Sequence, residues 1–336
     1  PEAAAQGCVA VRGGGACLLH PQNADAQLMG GDWQVALGYR WLHSFRHFVG
    51  DVEQVEREKL GNQVINDSHF FDLSVSYAFS PRFSATLVLP FVHSDRSSLY
   101  EHDRVNRAHS QAGGLADLRG SFAAWLLDPA KPQKGNLQVG VGFKAPTGNF
   151  SATDLFNTTN GPAVGYVDQS IQPGDGGWGM TLEFYGWVNL FKRSNAYLQG
   201  FYLANPMDAN GTPTASGTRR RNPYEQVTSI PDAYMIRGGV DYLLYAPWGV
   251  TLSLGGRVEG VPVQDLIGDD NGFRRPGYAV SVEPSLSLMK AGWTVSVSTP
   301  VAVYRNRERS VADYRWSADT GVFRHGDAAF ADYTVL

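Results

Sequence analysis

Charge, cysteine and long apolar runs are all scarce in this chain, and each shortage removes a class of protein. Only 18% of the 336 residues are Asp, Glu, Lys or Arg, and the formal net charge is -4. A nucleic-acid binder, expected to be basic, is therefore excluded. Disordered chains are poor in aromatics, whereas this one holds 15 Tyr, 17 Phe and 8 Trp. Its 2 cysteines are too few for a small disulfide scaffold. No stretch of about 18 consecutive apolar residues occurs, and mean hydropathy is -0.24, so no segment reads as a helical membrane span. A barrel span stays open, because alternating strands average to near-neutral hydropathy.

Cys8 and Cys17 flank a small, polar, Gly-rich stretch, GCVAVRGGGAC. The pair fits a disulfide closing a short loop, which implies an oxidising compartment; two unrelated free thiols are the alternative. A metal site fits less well, since the nearest histidine, His20, adds only a third ligand at unusual spacing. The chain starts at Pro1 without a charged or apolar leader region, so any export signal has been removed or precedes this sequence.

What is abundant is alternation. From Trp33 onward the sequence has period two, the mark of strands with unlike faces. Trp33, Val35, Leu37, Tyr39 and Trp41 alternate with Gln34, Ala36, Gly38 and Arg40; Phe71, Leu73, Val75, Tyr77 and Phe79 follow; after the turn at Ser80, Pro81 and Arg82 come Phe83, Ala85, Leu87, Leu89 and Phe91. The pattern returns eight more times between Leu118 and Val303, with a partial run from Ala328 to Leu336. That makes about twelve strands, an even number as single-chain outer-membrane barrels require.

The apolar phase carries essentially no charge. The other phase mixes Gly, Ala and Ser with isolated charges: Arg40, Asp72, Asp117, Arg119, Lys144, Glu183, Arg237, Asp241, Arg257, Glu259 and Glu283. Small polar residues with charges of both signs describe a lumen, so the apolar face is expected to meet lipid. Connections alternate short and long, as periplasmic turns and extracellular loops do, which puts both chain ends in the periplasm. Trp41 and Phe45, Tyr77, Phe79 and Phe83, and Trp248 and Trp293 fall where headgroups would lie. The expected architecture is all-β: a transmembrane, antiparallel, up-and-down barrel over residues 32–336, preceded by a short disulfide-closed periplasmic segment, residues 1–31.

These residues resemble the outer-membrane barrel family named for the meta-pathway of phenol degradation. The resemblance spans Gly31 to Leu336 and is carried by LPF (Leu89 to Phe91), GGLADLR (Gly113 to Arg119), GFKAPTG (Gly142 to Gly148) and SIQPGDGGWG (Ser170 to Gly179), with GVPVQDLIGDDNGFRRPGY (Gly260 to Tyr278) typical of one branch. It implies an outer-membrane barrel that transports small solutes, aromatic ones among them, and it carries over no binding residue. Such barrels usually end on an aromatic residue; this sequence stops at Leu336, so a few further residues are expected.

Little in the sequence suggests an enzyme: none of its histidines lies in a recognisable nucleophile or paired-carboxylate pattern. His43, His47, His69 and His93 share the lipid-facing phase near the outer strand ends, where they suit either a polar interface or a weak Zn or Cu site. Asp265, Asp269, Asp270 and Asn271, in DLIGDDNG, offer oxygen ligands for a loop Ca2+, without the spacing of a complete calcium loop. Basic clusters in the long loops, Arg219, Arg220 and Arg221, Arg274 and Arg275, and Arg305, Arg307 and Arg309, suit an anionic solute or lipopolysaccharide phosphates. The expected function is an outer-membrane channel or transporter for small solutes, aromatic or anionic ones being the candidates. The alternative is a closed interaction barrel that binds a periplasmic or surface partner.

Overall fold

The computed structural model describes residues 28–214 and 222–336. Cys8 and Cys17, with most of the expected N-terminal segment, and Arg219, Arg220 and Arg221 lie outside the described residues. Fifteen strand segments form one antiparallel sheet. With interrupted strands counted once and the two-residue Val52–Glu53 set aside, twelve staves remain. They are β1 (Trp33–Val49), β2 (Ile65–Ala78), β3 (Phe83–Ser98), β4 (Ala108–Leu115 with Leu118–Trp125), β5 (Gly135–Ala145), β6 (Gly179–Phe191), β7 (Ser194–Ala204), β8 (Ala233–Tyr245), β9 (Val250–Val261), β10 (Gly277–Lys290), β11 (Trp293–Ser298 with Val301–Arg307) and β12 (Ala328–Val335).

Each stave pairs with its neighbours in sequence, and β12 returns to β1 with Leu42 opposite Thr334 and Phe48 opposite Ala328. The sheet is therefore a closed twelve-stranded barrel, which leaves no bare edge to template aggregation. Period-two writing decides which side chains face out. Leu37 is 75% exposed and Trp293 78%, and Met180, Leu254 and Val295 stand out with them. The opposite phase, including Ser74, Gln138, Asp241 and Ser253, is buried inside. The hydrophobic face of this molecule is thus its outer wall.

Close packing inside a narrow barrel needs small partners for large rings. Gly239 and Gly255 face each other across β8 and β9, and a Cβ on Gly255 would lie 2.6 Å from the Tyr197 hydroxyl. The turn after β8 is a single 3-10 turn, Ala246–Trp248, closed by Gly249 at φ 56°, a conformation glycine adopts without strain.

The connections alternate short and long around the ring, but the long ones are more ordered than the sequence implies. Alternation predicts a loop from Ser94 to Gly113, whereas β3 runs on to Ser98 and β4 starts at Ala108. The cause is chemical: these extensions are polar on both faces and so leave no hydrophobic period to read. The long connections also hold hairpins (Thr153–Thr158 with Gly161–Tyr166, and Ala209–Pro213 with Val227–Ser229) and two helices, α1 (Val55–Lys59) and α2 (Val311–Thr320). α2 starts from a capping box between Ser310 and Asp313, which satisfies backbone donors at its first turn.

Candidate functional site: the barrel interior and its mouth

Inward-facing charges from separate strands meet in the lumen. Arg237 of β8 donates to Glu283 of β10 at 2.9 Å and, through Nε and Nη2, to the Gln199 side-chain oxygen at 3.1 and 2.9 Å. Arg257 of β9 pairs with Glu259 at 2.9 Å and lies 3.9 Å from Glu283. On the opposite wall Arg119 approaches Asp72 at 3.6 Å, and the Arg40 guanidinium sits 4.2 Å from the Phe70 ring centre. Glu183 accepts from the Thr181 hydroxyl at 3.1 Å, and Asp241 is buried on the inner face of β8. Of these residues Asp72, Arg119, Arg237, Arg257, Glu259 and Glu283 form ion pairs rather than presenting bare charge.

Asp117 and Lys144 do something else. Asp117 lies at the break in β4, and its two carboxylate oxygens accept from the backbone N–H groups of Gly148 and Asp175 at 3.0 and 2.9 Å. Lys144 pairs with the Asp175 carboxylate. Both residues thus hold the connection between β5 and β6 against the inner wall. That connection folds inward, and its returning stretch, residues 167–174, is largely buried.

The inward stretch is fixed at its other end by Asp168. Its carboxylate takes Arg275 at 2.6 Å and lies 3.6 Å from Arg96, which comes from the inner face of β3. Arg96 also donates to Asn66 of β2 at 2.9 Å and to Glu101 at 2.7 Å. The Ser170 hydroxyl accepts from Arg96 at 3.2 Å, and Gln169 donates to the Ser229 carbonyl at 2.7 Å. Burial alone would raise the Asp168 carboxyl, but Arg275 and Arg96 outweigh it and hold the group well below the usual carboxylate range. Backbone contact completes the seat: a Cβ on Gly174 would fall 2.6 Å from the Gly148 carbonyl oxygen. Residues 168–175 are therefore held inside the wall at the long-loop end.

Beneath and beside this stretch lies a cavity of about 120 Å3, lined among others by Leu42, Asn66, Phe70, Gln172, Leu203 and Arg275. One part of its wall is aliphatic and aromatic; the other offers amides and a guanidinium.

Several arginines that read as loop residues sit elsewhere than their sequence suggests. Arg274, Arg275, Arg305 and Arg307 were expected on an anion-binding surface, yet all four are buried. Arg274 meets Asp265 at 2.6 Å and Asp270 at 3.1 Å; Arg305 donates to Asp332 and to the Ala331 carbonyl, each at 3.0 Å. Arg307 donates to the Pro276 carbonyl at 3.2 Å and lies 4.0 Å from Asp313. Arg309 stacks on Tyr314 and Phe323 at 4.1 and 4.5 Å. Two causes operate: Arg274 and Arg275 lie on a long loop that folds into the barrel, whereas Arg305 and Arg307 lie on β11, which runs further than the apolar phase shows and turns them toward carboxylates and carbonyls of neighbouring segments.

The same holds for the expected Ca2+ ligands. The Asp265 and Asp270 oxygens receive Arg274, the Asp269 backbone N–H donates to Asp208 at 2.8 Å, and Asn271 bridges Asp208 and Arg315. Among the described residues no group of three or more His, Cys, Asp or Glu is arranged to hold a metal ion. His47, grouped by phase with His43, His69 and His93, departs from them: it is buried beneath residues 52–64 and paired with Asp327 at 3.2 Å. His43 and His69 share Asp67 on the outer wall, each at 3.1 Å.

Arg96 and Asn66 are the site residues that sequence reasoning missed. The apolar phase stops at Phe91, so it assigns Arg96 to a loop; only the continued strand turns that side chain inward.

No protein-family model and no curated protein matches the chain. Among solved structures it is similar to an outer membrane channel from Pseudomonas putida F1, with 12% identity, a TM-score of 0.56, and coverage of 93% of this chain and 96% of that one. At this identity the likeness is one of fold: a closed barrel of the kind that outer membrane channel adopts.

Proposed function

We propose that the chain is an outer-membrane barrel acting as a channel or transporter for small solutes, with residues 168–175 closing its long-loop mouth. The observation that carries this reading is the inversion of the molecule: a continuous apolar outer wall around an interior of paired charges and small polar residues. Burying such a wall in hydrocarbon removes an exposed apolar surface far larger than a soluble monomer carries. Only helices and closed barrels satisfy every backbone group there, and this barrel is closed. Strands of 11 to 17 residues, such as β5 and β1, are long enough, since about 9–11 tilted residues cross the core. In this setting the short turns and both chain ends face the periplasm and the long loops face outward. The cavity beside the closing stretch, apolar on one side and carrying Arg275 on the other, suits a small solute with an apolar body and a polar or anionic end.

The second reading, a closed scaffold, draws on the buried Asp168 lock. Planar-bilayer recording of the refolded, heat-modifiable protein separates the two. Discrete single-channel steps are expected; their absence across many insertions would sink the channel and leave the scaffold.

A further inference from the structure

Among the described residues, most arginines of the long-loop end are internal, with Lys59, Arg104 and Arg315 exposed there, while a second set of exposed cations gathers at the opposite rim of the protein. Four of its six lysines occupy the short turns or the strand ends beside them: Lys131 and Lys134 between β4 and β5, Lys192 between β6 and β7, and Lys290 at the end of β10. Arg82, between β2 and β3, and Arg193 join them, and all six are exposed. Against these stand Asp128, 3.9 Å from Lys131, and Asp32 just before β1. The whole chain is acidic, with a net charge of -4, so this concentration is opposite in sign to the molecule that carries it.

The turns are tied into one arc. Arg82 donates to the carbonyls of Trp125 and Leu126 at 3.1 Å each, linking its turn to the end of β4. Asn189 donates its N–H to the Lys134 carbonyl at 2.6 Å, which sets that turn beside the Lys192 turn, and Leu243 donates to the Arg193 carbonyl at 2.8 Å, which carries the arc to β8. Farther round, the Lys290 ammonium sits 4.2 Å from the Trp248 ring centre. Just inside the arc, on the outer wall, stand exposed Phe79, Phe83, Phe191, Tyr245, Trp248 and Trp293. Aromatic rings of this kind mark headgroup level, so the ammonium and guanidinium groups beyond them lie where lipid phosphates do.

We propose that this rim binds anionic phospholipid headgroups of the inner leaflet. The inference rests on the membrane reading above. An arc of basic side chains attracts anionic lipid through a field that decays within a Debye length, so the preference is strong in dilute salt and fades in concentrated salt. Exposed lysines reach phosphates without leaving the wall, because their stems lie along apolar surface while the ammonium stays at the polar boundary.

The test uses the full chain in phosphatidylcholine vesicles containing either dibrominated phosphatidylcholine or dibrominated phosphatidylglycerol at equal mole fraction, read by quenching of tryptophan fluorescence. The expected result is tighter association of the glycerol lipid by about fivefold in dilute salt, weakening toward parity in about 0.5 M salt. The variant with Lys131→Gln, Lys134→Gln, Lys192→Gln and Lys290→Gln, all at exposed turn positions, should quench almost equally with both lipids. Equal quenching in the unmodified protein overturns the rim, as does a preference that the variant retains. Loss of the preference on adding inorganic phosphate, but not chloride at matched ionic strength, would assign the arc to free phosphate instead. Absence of quenching by either lipid would mean that the barrel is not in the bilayer, and would overturn the membrane reading itself.

Discussion

Replacing Asp168 by Asn should open the mouth. The carboxylate is 3% exposed and holds Arg275 at 2.6 Å with Arg96 at 3.6 Å. Asparagine keeps the shape but leaves two buried guanidiniums sharing no counter-charge; Arg96 retains Glu101, whereas Arg275 loses its ion-pair partner. Breaking a buried pair from one side costs about 3–5 kcal/mol. The cost falls on the closed state, since displacement of the stretch lets Arg275 hydrate. At about 3 kcal/mol the closed-to-open ratio drops by roughly 150-fold. A mouth open about 0.1% of the time would then be open on the order of 10% of the time. Single-channel recording measures this as open-time fraction at fixed voltage, with heat-modifiable migration confirming the fold. An open fraction within about threefold of the unmodified protein would refute the claim that this pair keeps residues 168–175 in place.

Other consequences follow from the same geometry. Gly174→Ala puts a methyl group 2.6 Å from the Gly148 carbonyl oxygen and should raise the open fraction, while Gly256→Ala, whose nearest heavy atom is 3.9 Å away, should leave it unchanged; equal effects in recordings would discount the glycine contact. Glu283→Gln leaves Arg237 and Arg257 without their shared carboxylate and should lower the unfolding free energy by about 3–5 kcal/mol in urea titration, and shift the reversal potential toward anions. The Asp168 lock should also ignore mild acid. Its folded pKa is depressed, so the stability it adds is complete above the ordinary carboxylate value near 3.9 and is lost only as pH falls through the lower folded value. Open fraction is therefore expected to stay flat between about pH 7 and pH 5, and a rise within that window would point to another titrating group.

Periodicity and pairing were legible to different degrees for a physical reason. Trp33 to Trp41 or Val250 to Val258 announce their facing because burial on one side selects every second residue. That logic assigns Arg237, Arg257 and Glu283 to the inner phase, yet it is silent on partners such as the Arg237–Glu283 pair, which joins two strands. Arg275 and Asp168 lie 107 residues apart, and nothing in either local pattern links them. The same gap explains why Arg274, Arg305 and Arg307 read as a surface patch: Arg274 gains Asp265 only through the inward path of its loop, and Arg305 and Arg307 gain their partners because β11 continues beyond its apolar phase.

The inner wall differs between the two ends of the barrel. In the short-turn half the inner wall is small and half-buried at Ala36, Ser76, Thr86 and Ala123 but closely packed at Tyr185, Ser194, Tyr197, Asp241 and Thr251. In the long-loop half, Leu42, Ser44, Asn66, Ser68, Val92 and Ser94 are buried against residues from the inward loop and its neighbours. The stretch held by Asp168 and the charges around Glu283 are therefore separate elements, one at the long-loop mouth and the other lower in the wall. Two measurable properties should separate on this account. Asp168→Asn, at the mouth, should change how often the channel is open while leaving the charge preference of an open channel intact. Glu283→Gln, in the lumen, should change charge preference while leaving open fraction near its original value. If either substitution moved both properties together, mouth and lumen would be one coupled element, and the lock at Asp168 would not be the separate gate that its geometry describes.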